Sequence, residues 1–105
     1  MEVIQDKQSM ERAWRDAGGK TVVIAFISYR CGYCKRFMPF LDSLCLKMPG
    51  VIFKKVDVNS SEDLRNEFEV TGVPETFIYA NGGLYRRISG ADNEQVMKTL
   101  LELGN

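Results

Sequence analysis

Two cysteines, Cys31 and Cys34, are the residues of this chain whose type and spacing best suit chemistry. They enclose Gly32 and Tyr33, so one helical turn would bring the two sulfurs close enough to cycle between a dithiol and a disulfide. At the start of a helix, unpaired backbone N–H groups favour a thiolate over a thiol. The spacing therefore predicts redox exchange, with Cys31 at the exposed end as the nucleophile and Cys34 as the resolving thiol.

The charge around this pair is positive. Between Gly18 and Leu41 every charged residue is basic, namely Lys20, Arg30, Lys35 and Arg36. Positive charge near a sulfur stabilises its thiolate form. We therefore expect Arg30 and Lys35 to lower the pKa of Cys31.

Two other roles for the cysteine pair remain open at this point, a zinc site and a structural or inert pair. Zinc needs four ligands, but the chain has no histidine and only one further cysteine, Cys45. Along a helix Cys45 would lie about 16 Å from Cys34, too far for a disulfide. We expect Cys45 to be a small buried apolar residue, the alternative being an oxidation-sensitive or dimer-forming thiol.

Length and composition favour one domain spanning residues 1–105. Fourteen basic and fourteen acidic residues leave no net charge, which argues against a nucleic-acid-binding role. No apolar run reaches the roughly 20 residues that span a bilayer. The first residues do not resemble a secretory signal, and so few cysteines suit a reducing, cytoplasmic compartment.

The elements that must position the cysteines follow from the apolar pattern. The almost wholly apolar run TVVIAFIS at residues 21–28 predicts a strand buried on both faces. A helix begins at the cysteine pair, and a second strand follows at Val51–Val58. Ser60 and Ser61, with two acidic residues after them, predict the start of a short helix.

The last third of the chain predicts a hairpin and a helix. Thr76–Tyr79 and Leu84–Ser89 are joined by the turn sequence Asn81-Gly82-Gly83. Asp92 and Gln95 suggest a capping box for a final helix that bears Val96, Leu100, Leu101 and Leu103. The complete order (β)αβαβαββα predicts an α/β fold with a mixed sheet and helices on both faces.

Several segments together resemble the thioredoxin family, especially its short single-domain eukaryotic cytosolic members. These segments are Arg30-Cys31-Gly32-Tyr33-Cys34, VIFKKVDVNSSEDL, FEVTGVP and Ser89-Gly90-Ala91. The resemblance implies a thioredoxin fold with a four- or five-stranded mixed sheet. It also implies a protein-disulfide reductase in cellular electron transport and redox homeostasis. Such a protein works as a monomer without a bound cofactor, receives electrons from NADPH through a thioredoxin reductase, and passes them to oxidised client proteins.

The resemblance also implies roles for individual residues. Cys31 resembles the attacking cysteine and Cys34 the resolving one. Pro74 resembles the cis-proline that faces the pair, and Val73 the residue whose backbone holds a client in extended form. Gly32 and Tyr33 complete the implied substrate-binding surface, and Pro39 resembles a proline that bends the active-site helix.

The chain departs from the family pattern near the site. Arg30 replaces a tryptophan and Ala25 replaces a buried aspartate, so Lys55 lacks that aspartate as its partner. Glu75 replaces a threonine, and its carboxylate would either raise the pKa of the thiol or point away into solvent. Tyr33 replaces a proline, from which we expect a reduction potential above the thioredoxin value of about −270 mV.

These departures leave two alternative functions. A glutathione-linked oxidoreductase similar to glutaredoxins would explain Tyr33, with the basic residues binding glutathione carboxylates. An adaptor that binds partners beside Val73 and Pro74 with little turnover would explain Arg30 and Ala25.

Overall fold

A computed structural model describes residues 1–105 and shows the predicted order of elements. The strands are β1 (Glu2–Val3), β2 (Thr21–Ile27), β3 (Val51–Asp57), β4 (Glu75–Ala80) and β5 (Gly83–Ser89). The helices are α1 (Lys7–Arg15), α2 (Gly32–Lys47), α3 (Glu62–Glu67) and α4 (Asn93–Glu102). None of the four is long and apolar enough to cross a membrane.

The strands form one five-stranded mixed sheet in the order β1-β3-β2-β4-β5. β1, β3 and β2 are parallel, while β4 runs antiparallel to β2 and β5 antiparallel to β4. Every residue of β2 is buried, as its unbroken apolar sequence predicts for a central strand. The predicted α/β fold with a mixed sheet is confirmed.

Helices cover both faces of the sheet and create two cores. The first core contains residues of α2 and α4 packed on one face, including Cys34, Phe37, Leu41, Val96 and Leu100. The second core contains Met10 of α1 and Leu64 of α3, packed on the other face against Phe26 of β2 and Phe77 of β4. The cysteine pair therefore lies on the α2 side of the sheet, and Val73, which packs against both cores, lies beside it.

Both predicted helix starts are present, but a side chain caps only one of them. Asp92 caps α4, since its Oδ1 accepts a hydrogen bond of 2.9 Å from the backbone N–H of Gln95. Ser61 precedes α3, but its side chain caps nothing. Its buried hydroxyl instead donates to the carbonyl of Gln5 at 2.9 Å, which ties α3 to the N-terminal segment.

Of the apolar residues predicted for α4, Leu101 is 61% exposed. Val96 and Leu100, four residues apart, face the sheet, and the residue that accompanies them is the buried Thr99. Leu101 lies about 100° farther around the helix than Leu100. The hydroxyl of Thr99 is compatible with burial because it donates to the carbonyl of Gln95 at 2.8 Å.

Candidate active site

Cys31 lies at the junction of a buried strand and a helix, as its sequence position predicts. Its backbone is extended, with φ −88° and ψ 122°, and it forms the N-cap of α2. The Cys31 Sγ accepts a hydrogen bond from the backbone N–H of Cys34 at 3.4 Å. The sulfur therefore occupies the place where a serine or aspartate oxygen commonly caps a helix.

This capping position lowers the pKa of Cys31. The largest cause is the backbone N–H of Cys34, followed by a hydrogen bond from the Cys34 side chain. The backbone N–H of Tyr33 and the charge of Arg36 also stabilise the thiolate, while burial opposes them. The expected thiolate-stabilising helix start is thus present.

Cys34 has the opposite environment. Its side chain is fully buried in the first core, and this burial is the main reason that its pKa rises to about 11. The neighbouring Cys31 raises the pKa further, and a backbone hydrogen bond at Ser28 opposes the shift. Of the two sulfurs, Cys31 therefore ionises more readily, while Cys34 retains its proton at neutral pH.

The segment Val73-Pro74 lies against the sulfur of Cys31. The Cys31 thiol donates to the Val73 carbonyl, with 3.7 Å between Sγ and oxygen. The Val73–Pro74 peptide bond is cis, which confirms the isomer expected from the resemblance. The carbonyl of Pro74 accepts a hydrogen bond of 2.9 Å from Gly90, so the loop after β5 also borders the site.

Gly32 and Tyr33, the residues between the cysteines, are exposed. Tyr33 is 64% exposed, and the Cζ of Arg36 lies 5.1 Å from its ring centroid. No atom lies within 4 Å of the position that a Cβ on Gly32 would take. The substrate-binding roles expected for Gly32, Tyr33, Val73 and Pro74 stay predictions.

The basic residues predicted to tune the thiol lie in different surroundings. Arg30 and Lys35 are exposed on either side of the cysteine pair. Lys55 is half-buried on β3 beside Ala25 of β2, and its Nζ lies 5.4 Å from the ring centroid of Tyr29. The guanidinium that does contribute to the Cys31 shift is that of Arg36, a member of the basic run that was not among the predicted tuning residues.

Glu75 does not point into solvent, so that expectation is wrong. The residue is only 5% exposed, and its Oε2 accepts hydrogen bonds from Arg87 Nε at 2.9 Å and from Ser89 Oγ at 3.2 Å. Side chains alternate along a strand, and Phe77, two residues on, belongs to the second core. The carboxylate of Glu75 therefore lies on the face of the sheet opposite Cys34.

Two residues that support the Cys31 loop were not predicted. The Ser28 hydroxyl accepts hydrogen bonds from the backbone N–H of Arg30 at 3.2 Å and from Asn59 Nδ2 at 2.7 Å. The Ser28 carbonyl accepts from the Cys31 N–H at 3.1 Å. A serine at the end of an apolar strand could have indicated a supporting role for Ser28. Its partner Asn59 could not be found in this way, because it is 31 residues away in sequence.

Cys45 and Pro39 lie farther along α2. Cys45 is a free thiol that is partly buried against the first core, a less complete burial than predicted. Pro39 lies inside α2, which continues past it to Lys47. The hydrogen bonds of the Cys31 sulfur go to Val73 and Cys34, and neither Cys45 nor Pro39 takes part in them.

Open surface rather than a deep cavity surrounds the cysteine pair. Two cavities, of about 870 and 500 Å³, lie beside the N-terminal segment with α3 and beside Trp14 with Tyr79, and Cys31 lines neither. No group of three or more histidine, cysteine, aspartate or glutamate side chains is placed to hold a metal ion. The geometry suits exchange with the disulfide of a larger molecule.

Comparison with known proteins gives consistent results. Residues 3–102 match the family model described as Thioredoxin. The chain is 35% identical to thioredoxin of Rattus norvegicus over 102 residues, 97% of each chain. It is 37% identical to thioredoxin of Homo sapiens over 100 residues, 95% of each chain. The X-ray structure of Fasciola hepatica thioredoxin superposes with a TM-score of 0.93 at 27% identity, covering 97% of this chain and 98% of that one.

Proposed function

The chain belongs to the thioredoxin family and is a thiol-disulfide oxidoreductase, and we propose that Cys31 attacks and Cys34 resolves in its reaction with protein disulfides. The observation that carries these roles is the contrast between the two sulfurs. Cys31 caps α2 and has a lowered pKa, whereas the buried Cys34 has a pKa near 11. Cys31 is therefore the sulfur that more readily forms the thiolate needed to begin an attack.

The proposed cycle transfers two electrons. The Cys31 thiolate attacks one sulfur of a client disulfide, forming a mixed disulfide while the other client sulfur leaves as a thiolate and takes up a proton. Cys34 then loses its proton and attacks the Cys31 sulfur, which releases the second client sulfur. The client disulfide is reduced to two thiols, and the Cys31–Cys34 pair is oxidised to a disulfide.

The client would bind along Val73 and Pro74. The carbonyl of Val73 already accepts the hydrogen bond of the Cys31 thiol, so a backbone beside it lies next to the attacking sulfur. An extended client segment can pair with exposed backbone groups at such an edge. Gly32 and Tyr33 border the same position and would contact the client on the other side of the sulfur.

We propose that residues 1–105 act as one thioredoxin domain, as a monomer in the cytoplasm. Electrons would come from NADPH through a thioredoxin reductase and pass to oxidised client proteins. Support comes from relatives named thioredoxin that match over 95–97% of their own length. The chain has three cysteines, an odd and small number that suits a compartment that keeps thiols reduced.

Positive charge would tune the thiol. Arg30 and Lys35 are proposed to favour the Cys31 thiolate alongside Arg36, and Lys55 to act on the core beneath the pair from its place beside Ala25. Glu75, previously a candidate to raise the pKa of the thiol, would have a weaker influence because Arg87 neutralises it on the opposite face.

Insulin reduction measured with two electron sources tests the function. One reaction contains NADPH and thioredoxin reductase, and the other contains glutathione and glutathione reductase. Activity in the first alone is the expected result. Activity only with glutathione would favour the glutathione-linked alternative, which Tyr33 and the basic residues make worth testing. Inactivity in both would favour an adaptor.

Cysteine variants test the two roles separately. Cys31→Ser should abolish reduction, since no thiolate remains to attack. Cys34→Ser should accumulate clients as stable mixed disulfides. Cys45→Ser is the matched control and should retain full activity, because Cys45 lies eleven residues beyond Cys34 on α2. Multiple turnover by Cys34→Ser without added dithiol would contradict the resolving role.

A further inference from the structure

Three unpaired cationic side chains adjoin the cysteine pair in sequence, one just before Cys31 and two just after Cys34. Arg30, Lys35 and Arg36 are all exposed, and none of them takes part in the five ion pairs of the structure. The charge of Arg36 acts on Cys31, since it contributes to the lowered pKa of that thiol. We call Arg30, Lys35 and Arg36 the cationic rim.

Acidic groups near this rim are already engaged or face elsewhere. Asp57, at the end of β3, accepts hydrogen bonds from Asn59 and Ser60 at 3.0 Å each. Glu75 is paired with Arg87 on the opposite face. Glu62, Asp63, Glu67 and Glu69 lie on α3 and the turn after it, against the opposite face, and Asp92 caps α4 by accepting from Gln95. No ion pair therefore neutralises the cationic rim.

Two exposed tyrosines interleave with these charges. Tyr29 and Tyr33 are 46% and 64% exposed. Arg36 stacks over Tyr33, and Lys55 lies over Tyr29 at 5.4 Å from its ring centroid. A guanidinium held over an aromatic face keeps its outer N–H groups free to bind a carboxylate. The cationic rim and the two tyrosines thus form a surface that offers both positive charge and apolar contact area.

We infer that this protein prefers client disulfides flanked by aspartate or glutamate residues, whose carboxylates bind the cationic rim. The inference rests on the proposed function, because it requires Cys31 to be the attacking sulfur. The whole chain carries no net charge, so its attraction for an acidic segment is local to the site. Local charge complementarity changes encounter rates and depends strongly on salt.

Three disulfide-bonded peptides of identical length and loop test the preference. Their residues flanking the disulfide are acidic, neutral amide or basic. The second-order rate of peptide reduction by the pre-reduced protein is measured by thiol release. At low salt we expect the acidic peptide to react about tenfold faster than the basic one, with the neutral peptide between them. The ratio should fall toward one at about 1 M salt, where the Debye length is about 3 Å.

A charge-matched pair of variants locates the effect. The triple variant Arg30→Gln, Lys35→Gln, Arg36→Gln removes the rim and should reduce the acidic-to-basic rate ratio to about one. The control triple Lys20→Gln, Lys47→Gln, Lys98→Gln removes the same charge from exposed positions outside the site. It should keep the ratio of the native chain. The acidic-to-basic rate ratio is compared, rather than the rates themselves, because the loss of Arg36 also changes the pKa of Cys31 and so affects the rate with every peptide.

Each outcome supports or overturns the inference. Equal rates for the three peptides, or a ratio that falls equally in both triple variants, would overturn it while leaving the proposed function intact. Faster reduction of oxidised glutathione than of the acidic peptide would identify a small anionic disulfide as the preferred substrate and also overturn it. No reduction of any peptide would refute the proposed function, and the inference with it.

Discussion

Cys31 and Cys34 have the same side chain, but the pKa of Cys31 is lowered and that of Cys34 is raised. The sulfur of Cys31 accepts a backbone hydrogen bond at the start of α2, whereas that of Cys34 is enclosed by the first core. A helix start stabilises negative charge, and an apolar core destabilises it. The order of attack therefore follows from where the backbone places each sulfur, three residues apart.

The pH dependence of alkylation tests this difference. A thiolate reacts and a thiol does not, so the rate at Cys31 should rise with pH up to its pKa and become constant above it. In the Cys45→Ser variant we expect a midpoint below the value of about 8.5 for free cysteine. Cys34 should resist modification until the pH approaches 11. A midpoint equal to that of a short unstructured peptide would contradict the geometry.

The backbone N–H of Tyr33 should affect the reduction potential. It helps to stabilise the Cys31 thiolate, which belongs to the reduced state. Proline has no N–H, so Tyr33→Pro should raise the pKa of Cys31 and lower the potential by on the order of 10–30 mV. Tyr33→Phe keeps the N–H and should match the native chain. Equilibration with glutathione measures both, and a raised potential in Tyr33→Pro would contradict the argument.

At the level of elements, the β4–β5 hairpin holds the Val73-Pro74 segment in place. Arg87 of β5 donates to Glu75 of β4 at 2.9 Å and to the carbonyl of Glu69 at 2.8 Å. Its guanidinium carbon also lies 4.7 Å from the ring centroid of Phe77. One side chain thus joins both strands of the hairpin to the turn that precedes the cis bond.

Removal of Arg87 should therefore destabilise the fold. Arg87→Leu leaves the buried carboxylate of Glu75 with only the Ser89 hydroxyl, and we expect a loss of about 2–3 kcal/mol in the free energy of unfolding. The double variant Glu75→Thr, Arg87→Leu should recover part of that loss, because no buried charge remains. Lys47→Leu is an exposed control. Urea unfolding measures all of them, and additive effects of the two hairpin substitutions would contradict the coupling.

In the molecule as a whole, the sheet lies between the cysteine pair and the second core. Trp14, the single tryptophan, packs against Tyr79 and Phe68 with ring-centroid distances of 5.2 and 6.1 Å. These residues adjoin the second core, while Cys31 and Cys34 adjoin the first. The tryptophan therefore reports on folding at a site remote from the disulfide.

Trp14 fluorescence should change on unfolding but not on oxidation of the cysteine pair. Layers packed on a sheet are about 10 Å from it, so the full thickness of the sheet and one packed layer separates the indole from the sulfurs. Emission spectra of the reduced and oxidised native protein should coincide, with urea as the positive control. Quenching on oxidation would show that the two faces are coupled.

The elements and the cysteine site were predictable because their signals are local. An apolar run predicts a buried strand, and the spacing of Cys31 and Cys34 places two sulfurs at one helix start. The packing decided which of two adjacent leucines is buried, since Leu100 faces the sheet and Leu101 is exposed. The sequence predicted the serine before α3, but not that the Ser61 hydroxyl would bond to Gln5, outside its own helix.

The sequence by itself determined the strand–cysteine–helix junction and the order of the elements, since both depend on residues only a few positions apart. Only the tertiary structure decided that Val73 lies against Cys31, 42 residues away, and that Glu75 meets Arg87 behind the sheet. Both contacts join separate segments through strand pairing and side-chain alternation. The periodicity of apolar residues shows which face of each helix or strand is apolar. Which of these faces pack against each other depends on the folding of the whole chain.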